Sequence, residues 1–341
     1  MKISYNQLRR ILASLYLETG MWGMLNKKKL ERMAEVARLY YEEGKSQAEI
    51  GAMLDVSHST ISRLIKEAHQ HNVVEIVIHH PFKSISSLSD ALVRQFRLKD
   101  AYVLPNAGNN DDETVNNMAN LAARVLVENL HDGLMLGISG GKAVASTIRQ
   151  IRITQPMHVR VARLLGVTEE ELDEGADLAQ LLASQLGNDA TIIPAPLVMR
   201  SIEACRTIFQ ESFISEAIHL AENADIALVG IGSLESGYPN LLKMGWVNQD
   251  FLDELKMAGA VGEICGKYYD RQGQVLDVDF NQRVVAIQIE KLAHIDRVIG
   301  IACGEGKAEA ILGAIDGRLI NVLVTDSDTA RKLMALSDIS L

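Results

Sequence analysis

Residues 46–67, SQAEIGAMLDVSHSTISRLIKE, constrain this chain more than any other stretch. They predict two short helices joined by a tight turn. Ser46 followed by Glu49 forms a capping box, in which each side chain satisfies a backbone N–H of the helix start. Ile50 and Leu54 lie four apart and share one face. Gly51 allows a close approach to another helix at little steric cost. Asp55 and Val56 form the turn, Ser57 is a second N-cap, and Ile61, Leu64 and Ile65 make the buried stripe behind it. That leaves His58, Ser59, Thr60, Ser62, Arg63 and Lys66 facing outward, with Gln47 of the preceding helix beside them. Short donors and acceptors let a helix sit deep in the major groove, and cations hold phosphates. This is the pattern of a helix-turn-helix that reads DNA. Upstream, Met33, Val36, Ala37 and Tyr40 follow helical spacing and supply a third wall, with Gly44 placed to end that helix. The competing reading is an ordinary helical hairpin with solvated polar faces. Two caps, a small residue, a turn and a polar second helix agreeing at one spacing favour the DNA reader.

Net charge has to be divided before it supports this. The chain carries a formal −10 over 341 residues. Residues 1–80 hold 11 Lys/Arg against 9 Asp/Glu, while the remainder holds 23 against 35. The basic footprint is local, and the large acidic part is repelled by phosphate. Such a chain binds DNA through one end and holds its body away. Its hydrophobic content, 48%, supports a second domain with a substantial core. Cys205, Cys265 and Cys303 are too widely spaced for metal-ligand pairs, and fit a reduced cytoplasmic setting. Residues 11–25 are apolar, but Glu18 interrupts the run and no small-x-small cleavage site follows. They are expected to form an extra helix in a 1–28 extension. No stretch reaches the roughly 18–20 apolar residues needed to span a membrane.

The expected organisation is a DNA-binding domain over 29–82, a linker helix over 83–98 and a larger domain over 99–341. Val73–Ile78 reads as a short strand closed by Pro81. Residues 84–98 read as the connecting helix, capped near Ser84 or Ser87, with Leu88, Leu92 and Phe96 at four-residue spacing. Beyond it, strands at 100–104, 133–138, 158–165, 190–193, 225–231, 297–302 and 319–324 alternate with helices at 111–130, 142–150, 171–186, 211–222 and 306–315. The apolar runs lack period-two polarity, as strands buried on both faces do. The fold class is therefore α/β with a mostly parallel sheet, and small ligands bind such sheets beyond the carboxyl ends of the strands.

Two turns at those ends carry the expected chemistry. Gly137-Ile138-Ser139-Gly140-Gly141-Lys142 follows a strand and opens a helix, with Ala143 next. Glycines let the backbone approach a ligand, successive N–H groups point inward, and the helix dipole favours an anion. Cys303-Gly304-Glu305-Gly306-Lys307 lies between another strand and helix, and its lysine can hold a phosphate as a point charge. Either turn alone is equally an ordinary βα connection. Two with lysine, in a domain joined to a DNA reader, point to a phosphorylated ligand. Gly232, after strand 225–231, is a further candidate wall. Glu263 falls in a third glycine-rich turn, AGAVGEICGKYYD, where a solvated loop carboxylate is the plainer reading and hydrogen bonding to sugar hydroxyls the sharper one.

These pieces together resemble the SorC-type (DeoR/SorC) family of bacterial transcriptional regulators. The matching segments are ARLYYEEGKSQAEIGAMLDVSHSTISRLIKEA, GISGGKAV, ATIIPAPLV, ADIALVGIGS, GAVGEICGKYYD and GRLINVLVTDSDTA, in family order. The resemblance implies a winged-helix-like N-terminal domain. It also implies a C-terminal sensor similar in fold to glucosamine-6-phosphate deaminase and ribose-5-phosphate isomerase. It further implies operator DNA as a partner, a phosphorylated sugar or polyol as effector, control of a carbohydrate operon and a tetramer built from dimers. Carried over by position, the turn from Ser139 to Ala143 and Lys307 would bind the phosphate, and Glu263 would face the sugar hydroxyls. Gly140 stands where the family often has Trp, Glu263 where several members have Asp, and Gly166 is followed by Val167 where the family often has a second glycine.

An enzyme, a sugar-phosphate isomerase or deaminase fused to a DNA reader, is the alternative. It needs a positioned general base. Glu263 and Asp277 are the candidates, but no His/carboxylate constellation stands at recognisable spacing, and His219 and His294 read as ordinary helix or loop residues. No catalytic residue, metal site or cofactor is expected.

Overall fold

The computed structural model describes residues 27–71, 73–74, 85–105, 111–153, 157–167, 177–234 and 249–338. The chain divides into two units between Pro81 and Phe82. The extra helix expected over residues 11–25 and most of the strand at 73–78 lie outside the described residues.

In the first unit, α1 (Lys27–Ala37) runs into a π-helical turn, Arg38–Glu42, before α2 (Gln47–Met53) and α3 (His58–Gln70). The wider turn carries one extra residue and brings Leu39 inward beside Met33, Val36 and Ala37, with Tyr40 packed at the edge. Gly44 follows in a left-handed conformation, φ 66°, and ends this segment. Both predicted caps form. Ser46 and Glu49 make the full capping box, and the Ser57 hydroxyl accepts from Thr60 N. Ile50, Ile61, Leu64, Ile65 and Ala68 complete the core. Fully burying each leucine or isoleucine of this kind contributes roughly 1.5–3 kcal/mol. Gly51 corrects its expectation: a Cβ there would meet Val56 O at 2.8 Å, so the close approach is to the helix-turn-helix turn itself, not to another helix.

The second unit is built on seven parallel strands: β1 (Asp100–Leu104), β2 (Met135–Ile138), β3 (Arg160–Arg163), β4 (Ala190–Thr191), β5 (Ile226–Gly230), β9 (Arg297–Ile301) and β10 (Val322–Asp326). Their order is β1-β10-β9-β5-β2-β3-β4. Side chains alternate between two apolar layers. Ile226 and Leu228 of β5 enter one, and Ala227 and Val229 enter the other. This two-sided burial is why the strands read as unbroken apolar runs. On one face lie α5 (Asp111–Asn129), α6 (Lys142–Gln150) and α7 (Leu178–Leu186). The other face is covered by α4 (Ser86–Phe96), α8 (Ile202–Ile208), α9 (Ser212–Glu222), α10 (Gln249–Met257), α11 (Asp279–Arg283), α12 (Ala308–Asp316) and α13 (Ser327–Asp338). The linker helix α4 starts on Ile85 rather than on a serine. Ile85 N donates to Val103 O, so β1 fixes the helix start and no side-chain cap forms.

A second sheet was not expected. β6 (Gly232–Ser233), β7 (Ala260–Ile264) and β8 (Lys267–Asp270) pair antiparallel, with Glu263 opposite both Gly232 and Tyr268. The third glycine-rich turn is thus largely a β-hairpin whose two-residue turn is Cys265–Gly266, at φ 52° and 78°.

Candidate functional site

On the first unit, α3 presents His58, Ser59, Ser62, Arg63 and Lys66 to solvent, as the spacing predicts. Thr60 is half-buried. Its hydroxyl and that of Ser59 lie 2.8 and 2.9 Å from Ser57 Oγ, so both belong to the cap cluster. Gln47 is half-buried at the start of α2. Lys29 pairs with Glu67, and Arg38 and Lys45 pair with Glu43, while Arg63 and Lys66 are in no ion pair among the described residues.

On the second unit, strand order locates a crevice. From β2 the sheet proceeds to β3 and β4 on one side; from β5 it proceeds to β9 and β10 on the other. The connections part between β2 and β5, and a parallel sheet opens at its carboxyl edge where they part. The turns after β2, β5 and β9 lie side by side there. Ser139 N donates to Leu228 O, and the buried Ser139 hydroxyl accepts from Gly230 N and donates to Gly140 O. Ser139 therefore ties the first two turns together. Gly141, φ 95° and ψ 161°, is the N-cap of α6. No side chain caps that helix, and a Cβ on Gly141 would meet open space. Lys142 is exposed and Ala143 half-buried at the same helix start.

The turn after β9 is held by residues that its glycines did not announce. Asp326, buried at the end of β10, accepts from Gly304 N at 2.8 Å and also caps the start of α13 through Asp328 N and Thr329 N. Ser233 Oγ donates to Gly306 O at 2.6 Å, joining β6 to this turn. Lys307 Nζ donates to Ile231 O at 2.7 Å. Burial pushes the Lys307 ammonium below its ordinary range, opposed by Cys303 and Glu263 nearby.

Glu263 corrects the solvated-loop reading. It stands in β7, its carboxylate accepts from Gly266 N, and a Cβ on Gly232 would meet its Oε2 at 2.7 Å. Gly232 is what makes room for it. Burial raises the Glu263 carboxyl above the usual carboxylate range, against the lowering effects of Gly266 N and Lys307. Asp277, the other candidate base, is exposed and accepts from Gln282 Nε2, while His219 and His294 are exposed on α9 and before β9. Gly137 and Gly166 serve packing. A Cβ would meet Leu164 Cδ2 at 2.6 Å in the first case and Ala195 O at 2.5 Å in the second. Among the described residues no cluster of three His, Cys, Asp or Glu could hold a metal ion, and no helix is long and apolar enough to cross a membrane.

Comparison with known proteins agrees with both units. The family model of a sugar-binding domain matches residues 80–335, and that of sigma-70 region 4 matches residues 31–71, the helix-turn-helix segment. The transcriptional regulator LsrR of Escherichia coli K12 is 31% identical over 307 residues, covering 89% of this chain and 94% of LsrR. The deoxyribonucleoside regulator of Bacillus subtilis is 27% identical over 91% of this chain and 99% of its own. Among solved structures, the full-length sorbitol operon regulator SorC of Klebsiella pneumoniae superposes with a TM-score of 0.66 at 27% identity. That match covers 90% of this chain and all of SorC. The chain belongs to the SorC-type family of transcriptional regulators, in which a helix-turn-helix DNA reader is joined to a sugar-binding domain.

Proposed function

We propose that this regulator controls a carbohydrate-utilisation operon in response to a phosphorylated sugar or polyol bound at the crevice between β2 and β5. One observation carries the reading: a half-buried lysine and a half-buried carboxylate, Lys307 and Glu263, converge where an uncapped helix start and glycine-lined turns open at the sheet's switch point. The start of α6, with its free N–H groups, helix dipole and Lys142, attracts the phosphate from one side, and Lys307 does so from the other. Glu263 accepts hydrogen bonds from sugar hydroxyls, leaving Ser139, Gly140 and Asp326 to hold the turns in shape. Operator DNA is read by α3, with His58, Ser59 and Ser62 toward the bases and Arg63 and Lys66 toward the phosphates.

The crevice is proposed to bind rather than to transform. Of the carboxylates described there, Glu263 is engaged with Gly266 N and Asp326 with Gly304 N, and proton transfer on a sugar carbon needs a base free to move a proton. The functional form is a homo-oligomer, and the effector acts by its differential affinity for two arrangements of that oligomer. Thermal shift and calorimetry of the full chain with ribose 5-phosphate, glucose 6-phosphate and sorbitol 6-phosphate, each beside its dephosphorylated counterpart, test this. Stabilisation by a phosphorylated member alone is the expected result. No response to any of them in a folded sample refutes the sensor reading, and turnover of any of them refutes the binding-only reading.

A further inference from the structure

Between α8, α11 and the start of β8 lies a second hollow. It is an open cavity of about 430 Å³, continuing through Phe209 and Lys267 into a smaller one of about 280 Å³. The larger volume lies within the range of small-molecule sites. Its floor is apolar, from Cys205, Phe209 and Val284, and its rim carries Arg206, Lys267 and Gln282. No carboxylate lines it. Among the described residues neither Arg206 nor Lys267 is in an ion pair. In a domain where acids outnumber bases 35 to 23, this hollow sets two cations and no carboxylate around an apolar floor, with Glu203, one turn before Arg206, the nearest acid that acts on that cation. The one carboxylate of the smaller hollow, Glu222, is occupied by Gln288 N at 3.1 Å.

We propose that this cavity is a second ligand site, for an organic anion with a flat apolar body, and that it is coupled to the crevice through the hairpin turn. The cations would take the anionic group, and Phe209 and Val284 would take the body. The coupling path is short. Lys267 begins β8 and pairs with Ile264, next to Glu263. Between them, Cys265 and Gly266 both have positive φ, the paired left-handed backbone of a two-residue hairpin turn. Gly266 N is bonded to the Glu263 carboxylate, and Gly266 packs closely on Val284 and Leu197, 3.2 and 3.3 Å from where a Cβ would stand. An occupant that draws on Lys267 and presses Val284 therefore acts on the residue that orients Glu263. This coupling rests on the effector reading of the crevice; the existence of the second site does not.

Calorimetry with phenyl phosphate separates the two claims. In full-length Lys307→Gln, whose crevice is impaired, phenyl phosphate should still bind once per chain, at least tenfold more tightly than inorganic phosphate. Adding Lys267→Gln or Arg206→Gln should each weaken it at least tenfold, with melting temperatures confirming that both rim variants fold. Absence of binding, or equal affinity with and without both rim cations, overturns the site. Loss of all phenyl phosphate binding in Lys307→Gln overturns it as well, by assigning that binding to the crevice. For the coupling, saturating phenyl phosphate should change ribose 5-phosphate affinity at least threefold in the native chain and not in Lys267→Gln. No change, or an equal change in both, overturns the coupling and leaves the site standing.

Discussion

Gly141→Ala isolates what backbone geometry contributes to the crevice. Gly141 sits at φ 95° and ψ 161°, a conformation essentially reserved for glycine, yet a Cβ there would touch nothing within 4 Å. The penalty is therefore conformational rather than steric, about 1–3 kcal/mol. Its neighbour Gly140 has no positive φ, so Gly140→Ala should be neutral or stabilising by about 0.4–1 kcal/mol through the unfolded chain. For a unit of this size, 1 kcal/mol moves the melting temperature by roughly 2–4 °C. Gly141→Ala should then lower the sensor unit's transition by roughly 2–12 °C, while Gly140→Ala leaves it in place or raises it slightly. The cheapest relief of the strain is rotation of the peptide before residue 141, which turns backbone donors out of the crevice. Ribose 5-phosphate affinity should fall about tenfold or more, the equivalent of one charge-assisted hydrogen bond. Differential scanning calorimetry and titration of the two variants in parallel give both readouts. Equal melting temperatures for the two alanines would refute the assignment of a strained, ligand-facing turn to Gly141.

Three further outcomes are expected. Arg63→Ala should weaken operator binding in fluorescence anisotropy while leaving sugar-phosphate affinity intact, and Lys307→Ala should do the reverse; a shared loss would break the division of labour. Ser57→Ala removes the acceptor for Thr60 N and should destabilise α3 by about 1 kcal/mol, visible as faster amide exchange across residues 58–70. Because burial raises the folded-state pKa of Glu263, the folded chain binds its proton more strongly than the unfolded one. Stability from this group is thus fully present below its ordinary value of about 4.5 and is lost as pH rises through the raised value. Glu263→Gln should flatten that part of the stability–pH curve, measured by urea unfolding.

Residues whose chemistry is local were legible in the sequence, and those placed by pairing were not. The strands of the parallel sheet announced themselves because both faces are buried, and β1 and α6 fall on their predicted bounds. The helix-turn-helix was legible because its caps are bonds between residues three apart. The small antiparallel sheet was missed for the opposite reason. β6 has two residues, and β7 and β8 mix glycine, Glu and Lys with buried tyrosines, so no period stands out. A signal did exist: two short runs separated by exactly two residues, Cys265 and Gly266, at a position that favours left-handed backbone. Asp326 has a local half, its cap on Thr329 three residues on, but its hold on Gly304 joins two segments that only the fold brings together, and that half was not legible. The same holds for Ile231, whose carbonyl receives Lys307.

Charge bookkeeping on the reading head sets how the molecule must engage DNA. Lys29, Arg38 and Lys45 are committed to Glu67 and Glu43, and among residues 29–71 Arg32, Arg63 and Lys66 are the lysines and arginines outside any ion pair. Only Arg63 and Lys66 of these lie on α3. A head that neutralises two or three phosphates gives a slope of log affinity on log salt of about −2 to −3. Two heads on one operator double it, to about −4 to −6, and the acidic second unit contributes nothing favourable. Operator binding by the full chain should therefore show the steeper slope, and Arg63→Ala should reduce it by about 2 rather than about 1, because each substitution is present twice. A slope near −2 in the full chain, reduced by only about 1 in the variant, would mean that a single head binds, and would remove the reason for placing oligomerisation at the centre of its control.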